Sequence, residues 1–319
     1  MKITHVVYAY NNLDKVDLRI LRIIEVLHRN HEYVPYSMVV KFSGLDEEVV
    51  KMSLRRLNEF KLVNRRGAQQ YRLTFTAYDI LAIHTMAKRG VLKALSPTPL
   101  GVGKESDVYA ADGLDGSKYA AKFHRLGRVR FRNVRRDRVW IGERRHITWL
   151  YEARISAHME FLALVKAQEY GIPTPKPRAL SRHLVVMEYF NGIEASKLKL
   201  TQPEAVWGRV IDAVEAMLRA NMVHGDLTQF NILVNPEDED DIAIIDWPQW
   251  MYANVKGASA VLRRDLENLA RFFNSNYGLG IDIGEVWGRL KPLLPKEEVA
   301  PGKAYARLLN MLIRKLSKY

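Results

Sequence analysis

His224-Gly225-Asp226-Leu227-Thr228-Gln229-Phe230-Asn231-Ile232-Leu233 is the stretch on which the reading of this chain turns. It sets an acid and, five positions on, a carboxamide in front of an apolar run. A second apolar run, Ile242-Ala243-Ile244-Ile245, then ends in Asp246. Phosphoryl transfer needs such a set. One acid must accept the proton of the attacking hydroxyl, and hard oxygen donors must hold the magnesium that offsets the triphosphate charge. Asp226 fits the first role. Asn231 and Asp246 fit the second, with Asp246 counted among the catalytic groups as well. An acid and an asparagine at this spacing arise by chance in many chains. The buried-looking strand on each side, and the further Asp closing the second, give the pattern its weight.

Upstream lie the parts that would serve the same chemistry. Gly101-Val102-Gly103-Lys104-Glu105-Ser106-Asp107-Val108-Tyr109 runs straight into a predicted strand, and glycines at 101 and 103 let backbone amides approach phosphate oxygens. The Asp-Gly pairs at 112–113 and 115–116 predict a hairpin turn into Tyr119-Ala120-Ala121-Lys122-Phe123. Lys122 sits inside a hydrophobic strand. In the protein-kinase pattern such a lysine binds the phosphates and pairs with a glutamate on the next helix, predicted here over about 149–170. Glu152 and Glu160 both qualify, and Glu160, in His158-Met159-Glu160-Phe161-Leu162, is preferred. Gly101, Gly103, Lys104, Glu105, Ser106 and Val108 are the candidate phosphate loop. Leu184-Val185-Val186-Met187-Glu188-Tyr189 reads as a buried strand whose end, with Met187, Glu188 and Phe190, would meet the adenine. A helix over 203–220 leads into the catalytic loop.

Downstream, no Ala-Pro-Glu triplet follows Asp246, and seventy residues remain after Gln249. The peptide-docking segment of conventional protein kinases is therefore not expected.

The N-terminal part has a different character. Ile20, Ile24 and Leu27 predict a helix within 14–30, and a short segment follows Pro35. Asp46-Glu47-Glu48 opens a second helix carrying Val50, Leu54 and Leu57 on one face, with Lys51, Ser53, Arg55 and Arg56 opposite. A turn at Arg65-Arg66-Gly67 separates two strand-like pieces, and a third helix runs roughly from Ala77 to Lys88. This is the outline of a winged helix-turn-helix, with 46–60 as recognition helix and 63–74 as wing. The alternative is a small helical docking domain that binds no nucleic acid. Arg55, Arg56, Arg65 and Arg66 are the candidate nucleic-acid contacts. Leu95-Ser96-Pro97-Thr98-Pro99-Leu100 is expected to be a linker, because its prolines cannot continue a helix.

A formal charge of +13 over 319 residues points to polyanionic partners. Its distribution points the same way. Arg125 to Arg145 holds nine arginines against two acids, Asp137 and Glu143, a bias that salt-bridged helices do not show. Phe131 and Trp140 within that segment could stack on bases. Arg128, Arg130, Arg132 and Arg135 are therefore further candidate nucleic-acid contacts. No apolar run approaches the ~18 residues of a membrane span. The first residues lack a signal-peptide core, and there is no cysteine for a disulfide or a thiolate metal site. A soluble, cytoplasmic protein is expected.

Taken together, Gly101-x-Gly-Lys-Glu-Ser-x-Val-Tyr109, Lys122-x-His-Arg-Leu-Gly127, His224-Gly-Asp-Leu-Thr-Gln-Phe-Asn231 and Ile245-Asp-Trp-Pro-Gln249 resemble the RIO family of atypical serine/threonine protein kinases. The resemblance is to the second, winged-helix-bearing branch, in its short archaeal type. It implies an α+β fold: a winged helix-turn-helix over 1–91, then a two-lobed kinase-like domain. Its smaller lobe would take 92–190, with a basic insertion at 124–147, and its larger lobe 191–319, without an activation segment. It implies ATP and Mg2+ as cofactors, with Mn2+ as an alternative ion. It also implies a role in maturation of the small ribosomal subunit, with the subunit precursor, its rRNA and a protein substrate as partners, by a monomer. Residues 124–147 contain no Ser or Thr, so that segment offers no hydroxyl for the autophosphorylation known in the family. ATP turnover as a conformational switch, with transient phosphorylation of Asp246, is the mechanism this favours. Two other readings remain at this point: a small-molecule phosphotransferase of the aminoglycoside-kinase type, and an RNA-binding scaffold with a vestigial ATP site.

Overall fold

Side-chain caps open three of the N-terminal helices. Helix α1 (Ile3–Asn11), which the periodicity did not announce, is followed by α2 (Lys15–Leu27). Asp14 opens α2 by accepting from the Val16 and Asp17 amides at 2.7 and 2.9 Å, and Asp17 accepts from the Asp14 amide in return. Strand β1 (Val34–Pro35) leads into α3 (Tyr36–Ser43), a helix where only a short segment was expected. Gly44, at φ 61, ends α3 in the left-handed region. Asp46 then caps α4 (Glu47–Glu59) through the Glu48 amide at 2.9 Å. Strands β2 (Val63–Arg66) and β3 (Gln70–Leu73) form the wing, and Thr74 caps α5 (Phe75–Lys88). The computed structural model describes residues 3–67, 69–125 and 149–300.

The prolines at 97 and 99 do not make a linker. Ala94–Val102 is strand β4, on the edge of a sheet ordered β4-β5-β6-β8-β7 with β5 (Ser106–Asp112), β6 (Lys118–His124), β7 (Pro177–Ser181) and β8 (Leu184–Glu188). Its register to β5 shifts between Leu95 and Pro99 and again between Pro99 and Gly101. An edge strand with irregular pairing can tolerate residues that lack an amide donor, which a central strand cannot. Helix α6 (Trp149–Glu169) enters between β6 and β7 in chain order.

By packing, the described residues divide into two units. One takes those up to Ala157 together with Ala179–Val186; the other takes His158–Arg178 and those from Met187 on. The winged helix and the strands after it thus pack into one unit. A single buried cluster runs from Ile20, Leu54 and Leu57 through Ile80 and Met86 to Tyr109, Phe123 and Val186. Each such side chain contributes about 1.5–3 kcal/mol by leaving water. Polar ties cross the same junction. Arg182, at the β7–β8 turn with φ 57, makes a two-pronged pair with Glu25 of α2 at 2.8 and 2.9 Å and donates to the Leu81 carbonyl at 2.9 Å. Burial alone would raise the Glu25 pKa, but the hydrogen bonds and charges of Arg182 and Arg22 hold it below the usual carboxylate range.

His183 of the same turn is fully buried, stacked on Tyr78 at 4.7 Å, with Nε2 2.7 Å from Asp79 Oδ1. Burial pushes its pKa down to about 4 even though Asp79 pulls the other way. An unfolded histidine titrates near 6.5. Between about 6.5 and 4 the unfolded chain therefore takes up a proton that the folded chain refuses, and stability falls as pH drops through that window. Burial of His28 adds in the same direction. The Tm measured by calorimetry is expected to be lower at pH 5 than at pH 7, with a smaller drop in His183→Gln. An equal drop in the variant would show that His183 does not contribute.

The second unit holds β9 (Ile193–Glu194), α7 (Pro203–Arg219), β10 (Ile232–Asn235), β11 (Asp238–Ile244), α8 (Ala258–Tyr277) and α9 (Ile283–Leu290). Its sheet is ordered β11-β10-β9. Val210, Ile211, Val214 and Met217 of α7, and Leu266, Leu269 and Phe273 of α8, are buried, and Trp207 meets Phe273 edge-on. Glycines in the left-handed region, Gly257 at φ 90 and Gly278 at φ 68, bracket α8.

Candidate active site

Antiparallel pairing brings two of the predicted groups together. Ile232 is opposite Ile244 in the β10–β11 ladder, so Asn231 just before β10 and Asp246 just after β11 emerge at one end. The Ile245 amide donates to the Asn231 carbonyl at 2.9 Å and fixes that juxtaposition. Asn231 Nδ2 donates to the Asp226 carbonyl at 2.8 Å. That bond ties the carboxamide to the loop carrying Asp226 and aims Nδ2 away from any ligand of Oδ1. Asp246 has φ 67, a conformation that Asp tolerates better than most residues but that still costs energy.

The loop itself is held from three sides. His224 is buried, its Nε2 3.0 Å from the Ile245 carbonyl, and its Nδ1 accepts from the Asp226 amide at 3.3 Å. The network therefore puts the imidazole proton on Nε2. Asp265 of α8, also buried, accepts from the Leu227 amide at 3.0 Å. Its other oxygen is gripped by Arg264, whose Nη2 also donates to the Gly225 carbonyl at 2.9 Å. Neither Arg264 nor Asp265 was singled out from the sequence. They lie 38 and 39 residues from their partners in the loop, and no local pattern announces such a contact.

Gly225 is required here. Its φ is 88, and a Cβ would come within 2.5 Å of the Gln249 carbonyl oxygen. Gly225→Ala is expected to cost about 1–3 kcal/mol and to displace the loop. The expected result is a lower Tm with turnover nearly lost; unchanged turnover would show that the loop adjusts without consequence.

Asp226 is half-buried, and burial together with the charges of Asp246 and Asp265 raises its pKa above the usual carboxylate range, against the lowering effects of Arg264 and Asn231. Three carboxylates thus crowd one loop, and a cation would relieve them. The donors fit magnesium or manganese: a carboxamide oxygen and a carboxylate, both hard oxygen ligands. Among the described residues no group of three or more His, Cys, Asp or Glu forms a metal cage. Magnesium in nucleotide sites is commonly held by one or two side chains plus phosphate oxygens and water.

In the other unit, Gly101 is the Cα partner of Val108, and Val108 that of Lys122, so the three lie in one row across β4, β5 and β6. Ser106 shares the Val108 face of β5, because side chains alternate along a strand. Lys122 is 6% exposed. The turn carrying Lys104 and Glu105 is closed by the Gly103 amide on the Ser106 carbonyl at 2.8 Å. A Cβ at Gly101 would meet nothing within 4 Å, and one at Gly103 only Ser106 and the Glu105 amide, at 3.5 Å or more. The fold does not demand glycine at 101; a bare backbone leaves room for a phosphate.

Glu160 is buried on α6, in the unit that also holds Met187, Glu188 and Phe190. Met187 is buried and Glu188 exposed at the end of β8, where the Glu188 amide donates to the Lys176 carbonyl at 2.8 Å. That amide is therefore engaged within the fold.

The arginines expected to meet nucleic acid divide into three groups. Arg56 of α4 is turned back onto α2, where it pairs with Asp14 and the fully buried Asp17, and Arg55 pairs with Glu59. Helix α4 carries three acids and three bases, so it is not a basic face. Arg65 and Arg66 are exposed on the wing beside Tyr71 and Tyr33. Arg128, Arg130, Arg132 and Arg135, with Phe131 and Trp140, lie outside the described residues.

Residues 107–285 match the family model of the RIO domain, and residues 10–89 match that of the Rio2 N-terminal domain. The chain belongs to the Rio2 family. It is 35% identical over 252 residues to the RIO-type serine/threonine-protein kinase Rio2 of Methanocaldococcus jannaschii, covering 77% of this chain and 91% of that one. It is 34% identical over 286 residues to the serine/threonine-protein kinase rio2 of Dictyostelium discoideum. That match covers 89% of this chain, which spans only 54% of the Dictyostelium protein. Among solved structures, the Rio2 kinase–ADP/Mg2+–phosphoaspartate complex from Chaetomium thermophilum is similar over 98% of both chains, with a TM-score of 0.77 and 28% identity. The Rio2 N-terminal match and the RIO match together explain why winged helix and catalytic loop occur in one chain.

Proposed function

We propose that this chain is an ATP- and magnesium-dependent atypical serine/threonine kinase and ATPase that acts on the precursor of the small ribosomal subunit. The observation that carries the phosphotransfer part is the convergence of Asn231 and Asp246 at one end of the β10–β11 ladder, with Asn231 bonded to the Asp226 backbone. The Rio2 kinase of known structure that is similar over 98% of both chains was solved with ADP and Mg2+.

Each residue then has a role. Asp226 accepts the proton of the attacking oxygen, and burial with the charges of Asp246 and Asp265 raises its pKa, which strengthens it as a base. Asn231 and Asp246 would hold the metal, which offsets triphosphate charge when bound. Lys122 neutralises phosphate oxygens, while Gly101, Gly103 and Ser106 offer backbone and hydroxyl donors to the phosphates. Met187, Glu188 and Phe190 serve the adenine. Residues 247–257 are all that separates Asp246 from α8, leaving little chain for docking a peptide, which favours hydrolysis of ATP as a switch over broad protein phosphorylation.

The polyanionic partner is rRNA, met by the wing and by the basic segment after Arg125, and the protein works as a cytoplasmic monomer. Among the described residues no helix is long and apolar enough to cross a membrane. ATP turnover should rise on addition of small-subunit precursor RNA. Stimulation by a small alcohol instead would favour a small-molecule phosphotransferase, and no turnover would leave a scaffold. Replacing Arg128, Arg130, Arg132 and Arg135 with Ala should reduce the salt slope of RNA binding by about 3, at ~0.7 for each phosphate no longer neutralised, and leave nucleotide affinity unchanged. An unchanged slope would remove the basic segment from the interface.

A further inference from the structure

Arg125 is the first residue after β6 and only 4% exposed. It holds both neighbours of Ser106: its amide donates to the Glu105 carbonyl, and its Nε donates to Asp107 Oδ2 at 3.0 Å. Ser106 and Val108, on either side of Asp107, belong to the face that carries Lys122. The third attachment of Arg125 lies in the winged helix, where its Nη1 pairs with Asp79 Oδ1 on α5. Asp79 is fully buried, and its Oδ1 also meets His183 Nε2, while Oδ2 has no hydrogen-bond partner among the described residues. The guanidinium lies over the rings of Phe123 and Phe75, 5.3 and 5.8 Å from their centroids.

Such a network is a poor way to gain stability, since apolar side chains of the same volume often do as well. What it supplies is position. The fork geometry of one guanidinium, read by two buried carboxylates and backed by aromatic rings, fixes β5, the end of the glycine turn and α5 to one another.

We infer that Asp79, on the winged helix, is a positioning residue for the nucleotide site, acting through Arg125 on Ser106, Val108 and Lys122. This rests on reading Gly101–Ser106 and Lys122 as the phosphate-binding elements. Nucleotide bound there is then coupled to the winged helix, and the coupling acts in both directions. Whatever the winged helix binds changes the grip on ATP, and ATP tightens α5.

The test uses the full chain and the variants Asp79→Asn and Arg125→Lys. Asp79→Asn keeps the shape and removes the charge; Arg125→Lys keeps the charge and removes the fork. Affinity for a non-hydrolysable ATP analogue with Mg2+ is expected to fall at least about fivefold in each. The KM for ATP should rise in parallel, with kcat changing less. Hydrogen exchange of the α5 amides should slow when the analogue binds the wild type and should not slow in either variant. A folded variant that binds the analogue as the wild type does overturns the inference, as does a nucleotide-bound wild type without protection in α5. Should Asp79→Asn fail to fold, Arg125→Lys and the wild-type exchange experiment decide alone. A wild type that binds no nucleotide refutes the functional reading instead.

Discussion

Asp226→Asn is expected to abolish most turnover and to raise the thermal stability of the protein. The activity part follows from its proposed role as base, since loss of a positioned general base costs on the order of 10²–10⁴ in rate. The stability part follows from its surroundings. Burial and the charges of Asp246 and Asp265 raise its pKa, so ionising this carboxylate costs more in the folded protein than in the unfolded chain. With the folded pKa above the unfolded one, the group favours folding only at pH values low enough to protonate it. That contribution is lost as pH rises through the folded pKa. Asparagine removes the charge and keeps the shape, so Tm at pH 7 should rise while ATP turnover collapses. The wild-type and variant Tm values should converge as the pH is lowered far enough to protonate Asp226. A variant less stable than the wild type at pH 7 would mean that the carboxylate is a structural acceptor and not a strained catalytic one.

Asp246→Asn carries the second large effect. If Asp246 is the charged metal ligand proposed above, its loss at the reacting phosphoryl group costs on the order of 10²–10³ in turnover. The loss should be partly recovered at high Mg2+ or Mn2+, which Asp226→Asn should not show. The same residue is the proposed acceptor of a transferred phosphoryl group. Its carboxylate oxygen would bond the γ-phosphorus of ATP as the bond to the β,γ-bridging oxygen breaks, with ADP leaving. Water would then cleave the acyl phosphate, giving phosphate and regenerating the carboxylate, with Asp226 as the proposed acceptor of the proton. Hydroxylamine added after incubation with labelled ATP should release label from the wild type and none from Asp246→Asn. Label that resists hydroxylamine, or that sits on Ser or Thr alone, rules out the aspartyl intermediate.

The meeting of Asn231 and Asp246 was legible because the residues that bring it about are compressed into one local stretch. Asp226 and Asn231 are five residues apart, and the apolar runs that pair as β10 and β11 follow directly, so spacing alone brought Asn231 and Asp246 to one ladder end. The wing and its flanking helices were legible for a similar reason: caps such as Asp46 and Thr74 act within one turn. What escaped was set by distant partners. Arg56 read as an exposed base because Asp17, 39 residues away, does not advertise that it is buried. Asp265 and Arg264 were not singled out, although they fasten the loop from α8. Asp79, Arg125 and His183 come from three separate segments, and only folding reveals that they form one network. The prolines of β4 misled in the opposite direction, since a local rule against helix was taken as a rule against all regular structure.

Those prolines have a consequence beyond the pairing of β4. The outer rim of a sheet ordinarily offers amide and carbonyl groups to any extended chain that drifts past, and this invites fibrous self-association. Along Pro97-Thr98-Pro99 two of three positions have no proton to offer, and the register breaks around Pro99 disturb the regular spacing that an incoming strand would need. The sheet carrying Val108 and Lys122 is therefore protected from capture by foreign strands along that rim.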